Sequence, residues 1–220
     1  MLVPGALNSM LLGAVAPVSV VFTDSSVDPT DLTVYTFSAQ ALGVASPKRK
    51  IVVGVSLGLA ARTVTSLTVQ GISATLVRAQ AGAGVIDNEL WQANVPAGTT
   101  GDIVVTCSAA SDRAGIGVWA VYNAASAAFA TAGSAANPLS ASLNIPQGGI
   151  AIGVGSGYAS PLTYTWANLT ENYDEVVEAN MIQTGASAFF AAAQTGLVIT
   201  ATPAGGITDQ SMALASWGPL

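Results

Sequence analysis

The sequence predicts an all-β chain, a jelly-roll-like β-sandwich built from two similar sets of strands with an extended N-terminal arm. Three observations carry that reading. The first is a repeat: 51–58 (IVVGVSLG) returns at 150–157 (IAIGVGSG), 66–73 (SLTVQGIS) at 163–170 (TYTWANLT), and 103–107 (IVVTC) at 197–201 (LVITA). Each half closes on an apolar strand, 116–122 or 212–217, so order and spacing are both kept. The second is patterning. Apolar residues come in runs of five to eight, divided by Gly, Pro, Asn and Ser, as many short strands do. The third is that no run reaches the roughly 18 apolar residues of a membrane-spanning helix, although 51% of the chain is hydrophobic.

The elements follow in order. Residues 1–22 are apolar and contain Ala14-Val15-Ala16, a pattern like a signal-peptidase site. No Lys or Arg precedes it, and Pro4, Gly5 and Pro17 interrupt it. The segment therefore reads as an arm that docks on its own domain or on a neighbouring subunit through Leu2, Val3, Leu7, Met10, Leu11, Leu12 and Val15. Residues 19–22 make a first strand and 23–29 a turn cluster. In 32–37, Leu32, Val34 and Thr36 alternate with Thr33, Tyr35 and Phe37; 139–145 is its counterpart, with Leu139, Ala141, Leu143 and Ile145 apolar. Asp28-Pro29 and Asn137-Pro138 favour an extended or turn conformation before each.

Strand 51–58 sets Ile51, Val53, Val55 and Leu57 against a thin face of Gly54, Ser56 and Gly58. Strand 150–157 likewise sets Ile150, Ile152 and Val154 against Gly153, Gly155 and Gly157. A thin face admits a close backbone or a large ring, and Trp91, Trp119, Trp166 and Trp217 lie in other strands. Further strands are expected at 76–80, 89–95, 171–177, 181–184 and 189–193. The Ala-rich stretch 123–132 has high helix propensity and room for one short helix. The chain thus divides into an arm (1–22), a first β repeat (23–123), an Ala-rich connection (124–136) and a second β repeat (137–220), the repeats forming one sandwich or two.

Charge is scarce, at 8% of residues with a net charge of −6. So little charge on an Ala-, Gly-, Ser- and Thr-rich surface points to cover by other subunits, with an uncharged polar exterior as the plain alternative. Six basic residues argue against direct nucleic-acid binding. Lys48-Arg49-Lys50 reads as a solvated turn before a strand, and the single Cys107 as a small packed hydrophobe.

Chemistry finds little purchase. Without His there is no Ser-His-Asp or Cys-His arrangement, and no phosphate-binding glycine loop occurs, so neither an enzyme nor a cofactor is expected. Asp24, Asp28 and Asp31 surround a turn, but their spacing is not that of a calcium loop. Glu171, Asp174, Glu175 and Glu178 offer carboxylates for glycoside hydrolysis, against the plainer reading of charges guarding an edge strand. The aromatics offer a sugar-stacking platform, against ordinary core residues.

The second half resembles a β-sandwich widespread in virion proteins of tailed bacteriophages. The residues that carry it are the Gly-rich strand 149–157, Tyr164-Thr165-Trp166, Glu171-Asn172-Tyr173-Asp174, the 197–202 strand (LVITAT) and the closing 213–217 strand. The first half matches more loosely, with Thr68-Val69 where the second has Thr165-Trp166. The resemblance implies a structural virion component: a capsid decoration, a head or tail fibre base, or a tail-associated protein. It also implies a homo-oligomer, a trimer for instance, contacting other virion proteins. A host-glycan-binding module of a phage fibre is the competing expectation.

Overall fold

A computed structural model describes residues 16–58, 61–158 and 163–220. They form seventeen strands and, among the described residues, no helix. The first half holds β1 (Ser19–Asp28), β2 (Leu32–Ala41), β3 (Arg49–Gly58), β4 (Val64–Val69), β5 (Ile72–Ser73), β6 (Thr75–Ala81), β7 (Asp87–Asn94), β8 (Thr100–Ser111) and β9 (Arg113–Tyr122). The second holds β10 (Ala130–Ser134), β11 (Leu139–Ile145), β12 (Gly149–Tyr158), β13 (Tyr164–Ala167), β14 (Thr170–Glu178), β15 (Met181–Phe190), β16 (Gln194–Pro203) and β17 (Asp209–Trp217).

The repeat holds for every strand but the two-residue β5, which has no counterpart in the second half. A large sheet ordered β1-β9-β3-β7-β6 faces a small sheet β2-β8-β4-β5 in the first half. The second half repeats the order as β10-β17-β12-β15-β14 facing β11-β16-β13. Every pairing is antiparallel, and within each half the chain winds between its two sheets as in a jelly roll. The strand after β4 changes sheets: β5 pairs with β4, the chain breaks at Ala74, and β6 pairs with β7. Gln70 and Gly71, both at positive φ, make the two-residue turn between β4 and β5, where glycine carries no steric penalty.

The two jelly rolls stack through their large sheets, giving four layers and three apolar interiors. The first core joins Tyr35, Leu67 and Val105 to Ile51, Val53, Val55 and Trp91. The second joins Leu139, Trp166 and Ile199 to Ala151, Met212 and Leu214. Between the large sheets lie Val52, Leu90, Trp119, Val121, Ile150, Ile152, Val154, Tyr173 and Trp217. Strands β3 and β17 are consequently buried along their whole length.

Three expectations need correction. Residues 23–28 are strand, not turn: β1 passes through a bulge between Phe22 and Asp24, whose carboxylate accepts the N–H groups of Ser25 and Ala41. The Ala-rich connection is extended, not helical. Its Ala125 and Phe129 amides donate to Gly218 and Ser216, and β10 then pairs with β17, so an open sheet edge overrides local propensity. Of Lys48-Arg49-Lys50 only Lys48 is in an exposed turn as expected, since Arg49 and Lys50 open β3 and are buried. Residues 1–15, which include every residue named for the assembly arm, lie outside the described residues.

Candidate functional site: a basic cleft and two charge-poor faces

The acidic run lies on β14, an edge strand as expected. Three of its four carboxylates are tied to the scaffold, and Glu171 is exposed. Asp174 accepts the Tyr164 N–H at 2.8 Å. Glu175 accepts from Ser25 Oγ at 2.5 Å and Gln183 Nε2 at 3.0 Å, and Glu178 pairs with Arg113. Burial pushes Asp174 up to about 6. Asp24 is likewise spent on the backbone at the β1 bulge and on Ala41 of β2, and Asp28 on the turn at Thr30, and no group of three metal-ligating residues occurs among the described residues.

All four Trp rings are buried, as core aromatics rather than as a platform. Trp119 covers the thin face of β3, where a Cβ added at Gly54 would lie 3.2 Å from its ring. Trp166 covers the thin face of β12 at Gly153, within 2.8 Å. Trp91 packs in the first core and Trp217 between the large sheets. Cys107 is buried as expected, its thiol pushed up to about 11 by burial with Glu89 nearby.

Polar residues that drew no notice in the sequence lock the halves together. Asn88 Nδ2 donates to Ser156 Oγ at 2.8 Å and Ser211 Oγ at 2.7 Å, while Gln183 Nε2 reaches the Ser26 and Ile116 carbonyls from the other side. The Asp209 carboxylate sits in a loop of four backbone donors, Ala83, Gly84, Val85 and Ile86, at 2.5–3.2 Å. The glycine-spaced loop 82–86 is the one sequence signal for it, since curled backbone favours converging N–H groups.

The basic run floors a cleft of about 310 Å³ at one end of the first half. Lys48, Arg49, Lys50, Asn94 and Ser126 line it, with Pro47, Pro96, Ala124 and, from the second half, Leu220 as apolar walls. Arg49 spends its donors on five carbonyls, those of Leu42, Gly43, Val95, Ala97 and Gly98, at 2.8–2.9 Å. Lys50 Nζ donates to the carbonyls of Ala125 and Ser126 (the latter at 3.0 Å) and stands 6.0 Å from the Trp217 ring centroid. Gln92 Oε1 accepts from Lys50 at 3.4 Å and from Trp217 Nε1 at 3.0 Å. Burial lowers Lys50 to about 8.

The outer faces of the small sheets are the other notable surfaces. On the first, Val34, Thr36, Ser66, Thr68, Val104 and Thr106 form neighbouring cross-strand pairs. On the second, Ser140, Ser142, Thr165, Val198, Thr200 and Thr202 do the same, with no charged residue among them. Val34 and Val198 are each about half exposed, at 47% and 48%. No protein-family model, curated protein or solved structure matches the chain.

Proposed function

We propose that the chain is a non-catalytic structural component of a bacteriophage virion, acting by protein–protein assembly as a homo-oligomer that also contacts other virion proteins. The observation that carries this reading is the pair of charge-poor, Thr-, Ser- and Val-rich outer sheet faces. A β-sheet face left to solvent normally carries charge that discourages association, and the strands of these two sheets carry a single carboxylate between them, the exposed Asp102 of β8. Burial sharpens the point: three of the six basic and three of the twelve acidic side chains are inside the fold. The resemblance of 137–220 to phage virion sandwiches supplies the virion and the trimer. A glycan-binding module remains the second reading, without the Trp platform that favoured it.

Assembly is expected to run through the outer faces and residues 1–15. Val34→Lys with Val198→Lys, and separately deletion of residues 1–15, should leave the far-UV circular dichroism of a β-protein unchanged. Both should shift the sedimenting species from oligomer towards monomer. Full-length protein that sediments as a monomer at tens of micromolar, or a chain missing from purified virions by mass spectrometry, overturns the reading.

A further inference from the structure

Half of this molecule's cations stand in three consecutive positions, and among the described residues no carboxylate forms an ion pair with them. Buried charges in proteins are ordinarily paired with an opposite charge, because desolvation is costly and neutral dipoles repay only part of it. Arg49 and Lys50 are both buried, at 2% and 4% exposure, and all their hydrogen-bond acceptors are carbonyl or amide oxygens. Among the described residues the sole ion pair is Arg113 with Glu178. In a protein of net charge −6, this is a concentrated positive field beneath an open cleft.

The second half has no counterpart. At the matching start of β12 stand Gly148, Gly149 and Ile150, and a Cβ at Gly149 would press on the carbonyls of Pro146 and Trp217, at 2.8 and 2.7 Å. The charges are therefore particular to the first half and not a requirement of the jelly roll. The walls add a second constraint. Pro47, Pro96 and Ala124 are apolar, while the side chains of Asn94 and Ser126 offer uncharged hydrogen-bonding groups beside the cations. A volume of about 310 Å³ is several times that of a bare inorganic oxyanion and falls at the small end of ligand pockets.

We propose that this cleft binds a small organic anion, a carboxylate or phosphate monoester with a compact apolar body. The anionic group pairs with the exposed Lys48 in the field of the buried Arg49 and Lys50, whose own donors are already satisfied, and the body lies against Pro47 and Pro96. This is independent of the assembly reading, and its failure would leave that reading intact.

The test is calorimetric titration of the full chain with benzoate and with phenyl phosphate at constant ionic strength set by chloride. The expected result is saturable one-to-one binding of at least one probe, and which probe binds separates carboxylate from phosphate ester. Lys48→Ala, an exposed change at the rim, should weaken binding at least tenfold. Arg78→Ala, outside the cleft, should leave it unchanged. Heat that never saturates, or binding indifferent to Lys48, overturns the proposal. So does absence of probe binding together with self-association lost on Lys48→Ala, since the cleft would then accept an acidic segment of a second copy.

Discussion

Among single residues, the buried ionisable groups set how stability responds to pH. Asp87 is 4% exposed, and burial together with neighbouring Glu89 raises its carboxyl to about 8. A raised carboxyl keeps its proton in the folded state where the unfolded chain has lost it. Its contribution is therefore intact below the ordinary Asp range and is lost as pH climbs towards about 8. Lys50 acts oppositely. Burial lowers it to about 8, so the unfolded chain holds the proton more tightly and stability recovers as pH rises from about 8 towards the ordinary Lys range. Together these groups predict a minimum in stability near pH 8 with a recovery that levels off above about pH 9, where the raised Cys107 thiol offsets Lys50. Urea midpoints measured from pH 4 to 10 should trace it; Asp87→Asn should flatten the acid side and Lys50→Met the alkaline side. A profile in which neither substitution changes its own limb would rule this out.

At the level of the strand, β3 and β12 match in sequence yet differ in orientation. Ile51, Val53 and Val55 point into the first core, whereas Ile150, Ile152 and Val154 point at the opposite half. The best sequence match is displaced by one residue from the structural equivalence, and in a strand one residue exchanges the two faces. The consequence is complementarity. The thin face of β3 meets the bulky face of β12, and a Cβ at Gly54 would lie only 2.9 Å from the Val154 Cβ. Gly54→Ala should thus cost about 1–3 kcal/mol by overpacking. Val154→Ala should cost about 1–2 kcal/mol by leaving a void. Combined, they should recover about 1 kcal/mol or more relative to the sum, as contacting residues couple. Strict additivity in denaturant melts would mean that the two side chains do not share the space.

Over the whole molecule, the halves are joined as partners in an interface are. Trp119, Val121 and Val52 from one large sheet, and Ile150, Ile152 and Trp217 from the other, would all be uncovered by separation. Phe22 of β1 stacks on Tyr173 of β14 with ring centroids 5.4 Å apart, and Asp209 closes the β6–β7 loop from across the divide. Neither half should persist alone as a soluble monomer. Residues 16–123 and 124–220 produced separately are expected to aggregate or pair with themselves, and to yield a one-to-one complex when co-expressed. A monomeric, cooperatively melting single half would show that the central layer contributes little.

The strand content, the order of strands in each half and the burial of the Trp rings were legible in the sequence. They follow from local alternation, turn residues and side-chain size, which act over a few residues. The basic cleft was not legible, because Lys48-Arg49-Lys50 looks like any solvated turn until the carbonyls of 95–98 and 125–126 close over it. Nor were Asn88, Gln183 and Asp209, whose partners in the opposite half lie 67 to 157 residues away. Alternation tells that a strand has two faces and how each is furnished. What covers each face depends on contacts between segments far apart in the chain, so only the folded molecule decided that two jelly rolls would seal their large sheets together and leave the small ones outward.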